Sequence, residues 1–372
     1  MTKERRTVLI QVLLFIITFI TTTIAGAEWS YGKSVYAEFT WSDFVSGMQF
    51  SIPFLLILSV HEFGHYFTAL HHQVKSSLPY YIPFPPFPLS IGTMGAIIRL
   101  RSKVPSTKIN FDIGIAGPLA GFVMAVLVLW YGFATLPPPE SIFQIHPEYE
   151  QYGLNYAEHV YHPKEGVVDV TIGKNLLFLF FETFVADPVR MPNVHEIMHN
   201  PYLFAGFLAL VFTSLNLLPI GQLDGGHVLY GLVGFKTHRI IASAFFIVFM
   251  FYAGLGLEFI HPSLPLSELQ WAIPLYGFFL YFCFRGLGLP QRDTIMYTLI
   301  VFAAQFSLTV LYPTIKGYSG WLFFGFIIGR FLGIQHPPTE IEEPLDENRK
   351  ILGWIAIVIF ILCFTPNPIE LK

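Results

Sequence analysis

The chain has 372 residues, 53% of them hydrophobic and 12% charged, with a mean hydropathy of +0.57. Soluble domains carry about twice that share of charge, so an ordinary soluble enzyme is excluded and a bilayer is the expected solvent. The formal net charge of −4 is spread out rather than blocked, which points to no nucleic-acid partner, and the two cysteines, Cys283 and Cys363, lie in apolar runs that argue against a disulfide framework or a cysteine metal site.

In chain order, a basic start (Lys3, Arg5, Arg6) leads into an apolar run from Thr7 to Ala27. The apolar part of a signal peptide has about 7–15 residues, so this run of about twenty is expected to be a retained span. Further spans are expected over Phe44 to Leu70, Phe111 to Leu136, Tyr202 to Leu218, His238 to Leu257, Leu269 to Leu287 and Ile295 to Tyr312, with shorter ones over Trp321 to Ile334 and Ile351 to Phe364. The fold class is therefore an all-α polytopic membrane protein of roughly eight or nine transmembrane helices with a small membrane-associated β or re-entrant element, forming a single membrane-embedded domain with a core over about 44–232. Between the second and third spans, Pro79, Pro83, Pro85, Pro86 and Pro88 forbid a helix, yet Leu78 to Ser102 is too apolar for a solvated loop. Gly92 to Leu100 carries strand-forming residues, so a re-entrant loop or hairpin covered by helices is expected.

The connection from Pro137 to Pro201 is large enough for a small extramembrane subdomain, in which Gly166 to Ile172 reads as a strand and Asn175 to Phe184 as an apolar helix. Arg99, Arg101, Lys103 and Lys108 cluster in one connection and Lys236, His238 and Arg239 in another. The positive-inside rule puts both, with the N-terminus, on the cytoplasmic side of a cell membrane and leaves 137–201 external.

His61-Glu62-Phe63-Gly64-His65 lies inside the second span. Positions four apart on a helix sit one above the other, so two imidazoles share one metal with the glutamate beside them, which suits a catalytic zinc and a general base. The pattern alone is weak, because His195-Glu196-Ile197-Met198-His199 repeats it between Pro192 and Pro201, where a helix has room for about one turn. That second copy is not expected to be the catalytic site, and its spacing gives no support to a peripheral metal. Two histidines and a carboxylate within a bilayer helix are costly and persist with partners or function, which favours the first copy over a metal-free polar network. The strongest third ligand is Asp224, in Asn216-Leu-Leu-Pro-Ile-Gly-Gln-Leu-Asp-Gly-Gly-His227, where Pro219 and Gly221 break the preceding helix and Asp224 is expected to cap the next; a cap without a metal is the alternative. His227 is expected beside the metal ligands or the substrate rather than on the metal.

His-Glu-Phe-Gly-His in one span paired with Leu-Asp-Gly-Gly-His after another resembles the site-2 proteases, intramembrane zinc metalloproteases. The resemblance runs from about Ser51 to Leu232 and includes Gly92-Thr-Met-Gly-Ala-Ile and Ala116-Gly-Pro-Leu-Ala-Gly121. It implies one Zn2+ per chain held by His61, His65 and Asp224, with Glu62 as catalytic base. It implicates Asn216 in holding the substrate backbone or the developing oxyanion, and it makes the stretch around Gly92, Thr93 and Gly95 a strand that clamps an unwound substrate by its edge. The chain has no room for an inserted peptide-binding domain between the two motifs and is similar to the minimal subgroup. Transmembrane proteins are then the substrates, by regulated intramembrane proteolysis. Gly114, Gly117 and Gly121 are read only as small residues that let helices approach. The competing readings are a metal or proton transporter, which has no need of Glu62, and a silent membrane scaffold, which has no need of the full set.

Overall fold

The structure, a computed structural model, describes residues 3–87, 89–161, 169–261 and 263–371. Each of the nine expected spans falls on a helix. α1 (Lys3–Tyr31), α2 (Trp41–His71) and α3 (Thr107–Ala134) come first, then a single turn α4 (Ala157–Val160), a short α5 (Leu176–Phe184) and α6 (Pro201–Asn216). α7 (Asp224–Ala253), α8 (Leu266–Phe284), α9 (Gln291–Leu311), α10 (Gly320–Ile327), extended by a π-helix over Ile328–Leu332, and α11 (Glu347–Cys363) complete the set. By length and composition α1, α2, α3, α7 and α9 can each cross a membrane, while α6 and α10 with its extension are shorter apolar helices.

The chain divides into two compact units, one of Met1–Val104, Ile115–Asn216 and Ala356–Lys372, the other of Pro105–Gly114 and Leu217–Ile355. In the first, α6 is buried on every side, from Leu203 through Val211 and again at Thr213 and Ser214. A helix that is apolar all round belongs in an interior. Phe204 packs on Trp29 of α1 and Phe50 of α2, with ring centroids 5.1 and 5.4 Å away, and Gly206 lies against Leu129 of α3.

α1 and α2 meet through small residues. A Cβ on Gly47 would stand 2.1 Å from the Thr23 carbonyl oxygen, one on Gly26 would stand 2.7 Å from the Gly47 carbonyl oxygen, and the Thr23 and Ser51 hydroxyls hydrogen-bond at 2.7 Å. Close backbone approach of this kind replaces the hydrophobic drive that lipid cannot supply. Gly47→Leu is therefore expected to lower the thermal midpoint in detergent by an overpacking cost of at least about 1–3 kcal/mol. Gly277→Leu, where nothing stands within 4 Å of a Cβ, is expected to leave the midpoint unchanged.

The proline-rich segment forms the expected hairpin. β1 (Tyr80–Pro83) pairs antiparallel with β2 (Thr93–Ile97), Tyr80 opposite Ile97 and Pro83 opposite Thr93, with an irregularity between Tyr81 and Pro83; Pro88 lies outside the described residues. Side chains of α1 add donors to its carbonyls: Gln11 Nε2 donates to Leu78 O at 2.7 Å, Thr21 Oγ1 to Gly92 O at 2.6 Å and Trp29 Nε1 to Ser90 O at 2.8 Å. Gly92 has φ +77°, and a Cβ there would strike the Thr21 carbonyl at 2.3 Å, so glycine is required on both counts.

In the 137–201 connection, two 3₁₀ segments, Pro139–Gln144 and Pro147–Asn155, gather Ile142, Tyr149 and Tyr156 into a small core. The strand expected from Gly166 begins outside the described residues; its end is β3 (Val170–Ile172), paired antiparallel with β4 (Ile369–Leu371). α5 starts where expected, its N-cap Asn175 accepting from Phe178 N.

In the second unit, α7 departs from the expected span. It begins at Asp224, and its second piece starts just past Gly234, so Lys236, His238 and Arg239 stand in the first turns of a helix that opens slightly earlier than the expected span. Gly234, at φ 75° and ψ 171°, kinks it there, and no proline interrupts the stretch that follows. Gln305 of α9, fully buried, joins α7 and α8: its amide donates to Met250 O and Phe251 O at 3.0 and 2.9 Å while its carbonyl accepts from Tyr276 at 3.1 Å.

Candidate metal centre

The first copy of the motif sits in the α2 interior, where His61, Glu62 and His65 are all buried. Helical spacing stacks the two imidazoles, and their Nε2 atoms lie 3.1 Å apart. Two nitrogens bound tetrahedrally at about 2.0–2.1 Å would be about 3.3–3.4 Å apart, so this pair has close to the separation that a shared zinc needs. Asn216, the last residue of α6, places Nδ2 3.4 Å from His61 Nε2. His61, Gly121, Thr213 and Asn216 line a cavity of about 20 Å³, room for one water molecule beside the histidine.

Glycines of α3 create the space for these rings. A Cβ on Gly117 would lie 2.1 Å from His65 Nε2, and one on Gly121 would lie 3.0 Å from His61 Cβ. Gly64, between the histidines, meets the Ala116 carbonyl at 2.7 Å by the same construction, so α2 and α3 touch backbone to backbone. Sequence reasoning missed this role; the signal was the Gly117–Gly121 spacing of four, matched to the spacing of the two histidines.

The strand hairpin is tied to the same stretch of helix. The Ser59 hydroxyl donates to Leu55 O at 2.6 Å and hydrogen-bonds the Tyr81 hydroxyl of β1 at 2.7 Å, two residues before His61. Of the expected substrate contacts, Thr93 is buried and bonds through its hydroxyl to Ile82 O at 2.9 Å, while Gly95 has φ +101° and open space where a Cβ would stand.

Asp224 belongs to the second unit. It is the first residue of α7, not its cap: Leu223 takes the extended cap geometry at φ −67° and ψ 159° and makes no side-chain cap bond. In the first turn the carboxylate still gains from the partial positive charge of the helix N-terminus. Gly225 and Gly226 press that turn onto the preceding loop, since their Cβ atoms would stand 2.0 Å from Leu217 O and 2.2 Å from Gly221 O. His227 follows on the same turn. Its Nδ1 lies 3.1 Å from Asn110 Nδ2 and 2.7 Å from His336 Nε2, and Gly114 makes room for its Cβ. Neither Asn110 nor His336 was visible from spacing, because they come from the start of α3 and from a proline-rich segment more than two hundred residues later.

The second motif copy is dismantled. Its residues form a turn and a three-residue 3₁₀ segment, Ile197–His199. His195 Nδ1 pairs with Asp169 at 2.7 Å, while His199 and Glu196 turn toward His146.

A mostly helical chain with a buried histidine pair and glutamate on a bilayer-length helix has the features of a membrane protein that can hold a metal. The model of Peptidase family M50 matches residues 49–259, and the chain belongs to that family. Among similar proteins it is 30% identical over 180 residues to the rice "Probable zinc metalloprotease EGY1, chloroplastic" (Oryza sativa subsp. japonica), covering 48% of this chain and 27% of that protein. It is 29% identical over 182 residues to the Arabidopsis thaliana protein of the same name (48% and 28%), and 27% identical over 198 residues to the Arabidopsis "Probable zinc metalloprotease EGY2, chloroplastic" (53% and 31%). The matched part of the chain thus spans about three-tenths of the length of these relatives.

Proposed function

We propose that the protein is an intramembrane zinc endopeptidase in which His61, His65 and Asp224 hold one Zn2+ and Glu62 moves the proton. The observation that carries the reading is the buried His61–His65 pair, Nε2 to Nε2 3.1 Å, with Glu62 beside it on a helix of bilayer length, in a chain of peptidase family M50. Zinc, when bound, supplies a Lewis acid and makes water acidic enough to lose a proton near neutral pH. The Glu62 carboxylate accepts that proton as the water oxygen adds to the peptide carbonyl carbon. It then delivers the proton to the amide nitrogen as the C–N bond breaks, leaving a carboxylic acid and an amine. Asn216, beside His61, holds the peptide or the developing oxyanion through its amide.

The substrates are transmembrane segments. Such a helix satisfies its own backbone, so it must unwind before cleavage, and an extended stretch added to the β1–β2 hairpin recovers its hydrogen bonds. Ser59–Tyr81 anchors the hairpin next to the motif, and the side chains of Met94 and Ile97 are exposed on β2. We place the N-terminus on the cytoplasmic side of a cell membrane by the charge of 99–108, which puts the motif toward that side.

Purified protein incubated with a panel of single-span membrane substrates is expected to cleave at least one. Stripping zinc with a chelator should abolish cleavage, and stoichiometric zinc should restore it. Cleavage by metal-free protein would sink the zinc reading, and a metal bound and released without cleavage of any substrate would favour a transporter.

A further inference from the structure

The dismantled motif copy leads to a different assembly. His146 comes from the turn between the two 3₁₀ segments, and Glu196 and His199 from the stretch before α6. Their ligand atoms all lie within 4.8 Å of one another. His146 Nε2 is 3.3 Å from His199 Nε2, which in turn is 3.2 Å from Glu196 Oε2.

The protonation of both rings is fixed from behind. His146 Nδ1 faces the Glu148 carboxylate at 3.0 Å and His199 Nδ1 faces the Ser30 carbonyl at 3.0 Å. Both partners only accept, so each Nδ1 carries the hydrogen, and in the neutral ring each Nε2 presents a lone pair. The two lone pairs and a carboxylate oxygen therefore converge on one point. Such a convergence repels unless a cation or an extra proton sits within it. Glu196 is 2% exposed, so a buried carboxylate there calls for a partner. Its other oxygen accepts from the Tyr161 hydroxyl, which leaves the oxygen facing the two rings free of that bond. His195 completes the support, donating to Asp169 and stacking on Tyr161 at 3.9 Å.

We propose that His146, Glu196 and His199 form a second zinc site, separate from the His61–His65 centre, which staples the 3₁₀ segments to the stretch leading into α6. The 3.3 Å and 3.2 Å separations match the tetrahedral edge of about 3.3–3.4 Å for zinc bonds of about 2.0–2.1 Å. Imidazole with carboxylate is a zinc donor set, and the hydrogen-bonded Nδ1 atoms are the usual orienting partners of metal-bound histidine. Glu196 and His199 also line a cleft of about 320 Å³, through which the ion enters and water reaches a fourth position. Glu196 is spent as a ligand, so the site has no general base of its own and its role is to hold the 137–201 connection.

The test counts metal in the full-length protein after refilling a stripped sample with zinc. Wild type is expected to hold two equivalents and His61→Ala/His65→Ala one. Adding His146→Ala to that pair of substitutions should remove the last equivalent and the upward thermal shift that zinc confers. If the His146→Ala chain fails to fold, Glu196→Gln serves in its place, keeping volume and the Tyr161 contact while removing the charge. A His61→Ala/His65→Ala protein that elutes as folded but holds no zinc overturns the proposal and leaves a shared proton between the rings. Retention of that equivalent in both the His146→Ala and the Glu196→Gln chains overturns it as well. Neither result touches the catalytic reading, which concerns the other equivalent.

Discussion

Glu62→Gln is expected to lower substrate cleavage by about 10²–10⁴-fold while leaving the bound zinc at the wild-type amount. Glutamine has the shape of glutamate and fills the same buried place on α2, so packing is retained. What it lacks is the capacity to accept a proton at one oxygen and pass it to a leaving nitrogen. Metal content and turnover, measured on the same preparations, separate the two effects. Undiminished cleavage would remove Glu62 from the chemistry, and loss of zinc would make it a ligand.

Gly117→Ala should be as damaging by a wholly different route. The added carbon would be placed 2.1 Å from His65 Nε2, the atom proposed to bind the metal. Neither helix can yield, because Gly64 already brings α2 against the α3 backbone. The ring must rotate away. Outer-shell changes that only reorient a ligand cost about 10–100-fold in metal affinity, so at least that loss is expected, with activity falling in proportion. Alanine is the better helix former, so weaker helicity offers no competing explanation. Competition against a chelator of known affinity reads the result; zinc affinity within a few-fold of wild type would refute the steric role of Gly117.

Much of this was legible before any coordinates. Runs of apolar residues located helices at all nine expected places, and among the described residues five of these helices are long and apolar enough to cross a membrane. The His61–His65 pair was legible because four-residue spacing needs only an intact helix. The hairpin was legible from its prolines, since a segment that is both apolar and unable to form a helix has few alternatives. What stayed hidden depends on pairings that sequence distance does not encode. The Leu223 cap in place of Asp224 turned on one residue of backbone geometry, and the start of the second piece of α7 just before Lys236 turned on the break at Gly234. The meeting of His227 with Asn110 and His336, and of His146 with His199, joins segments 53 to 226 residues apart. Glycines 117 and 121 looked like generic packing residues because a missing side chain does not announce what occupies its place.

The bonds from α1 to the hairpin carry a consequence for assembly. The carbonyl at Ser90 finds its donor on Trp29, and those at Leu78 and Gly92 gain a second donor from Gln11 and Thr21, residues synthesised some sixty to seventy positions earlier. When the hairpin leaves the ribosome, the surface that receives it is already made and already threaded into lipid. The first helix thus works as a built-in mould, adding side-chain donors to a hairpin whose two strands pair with each other.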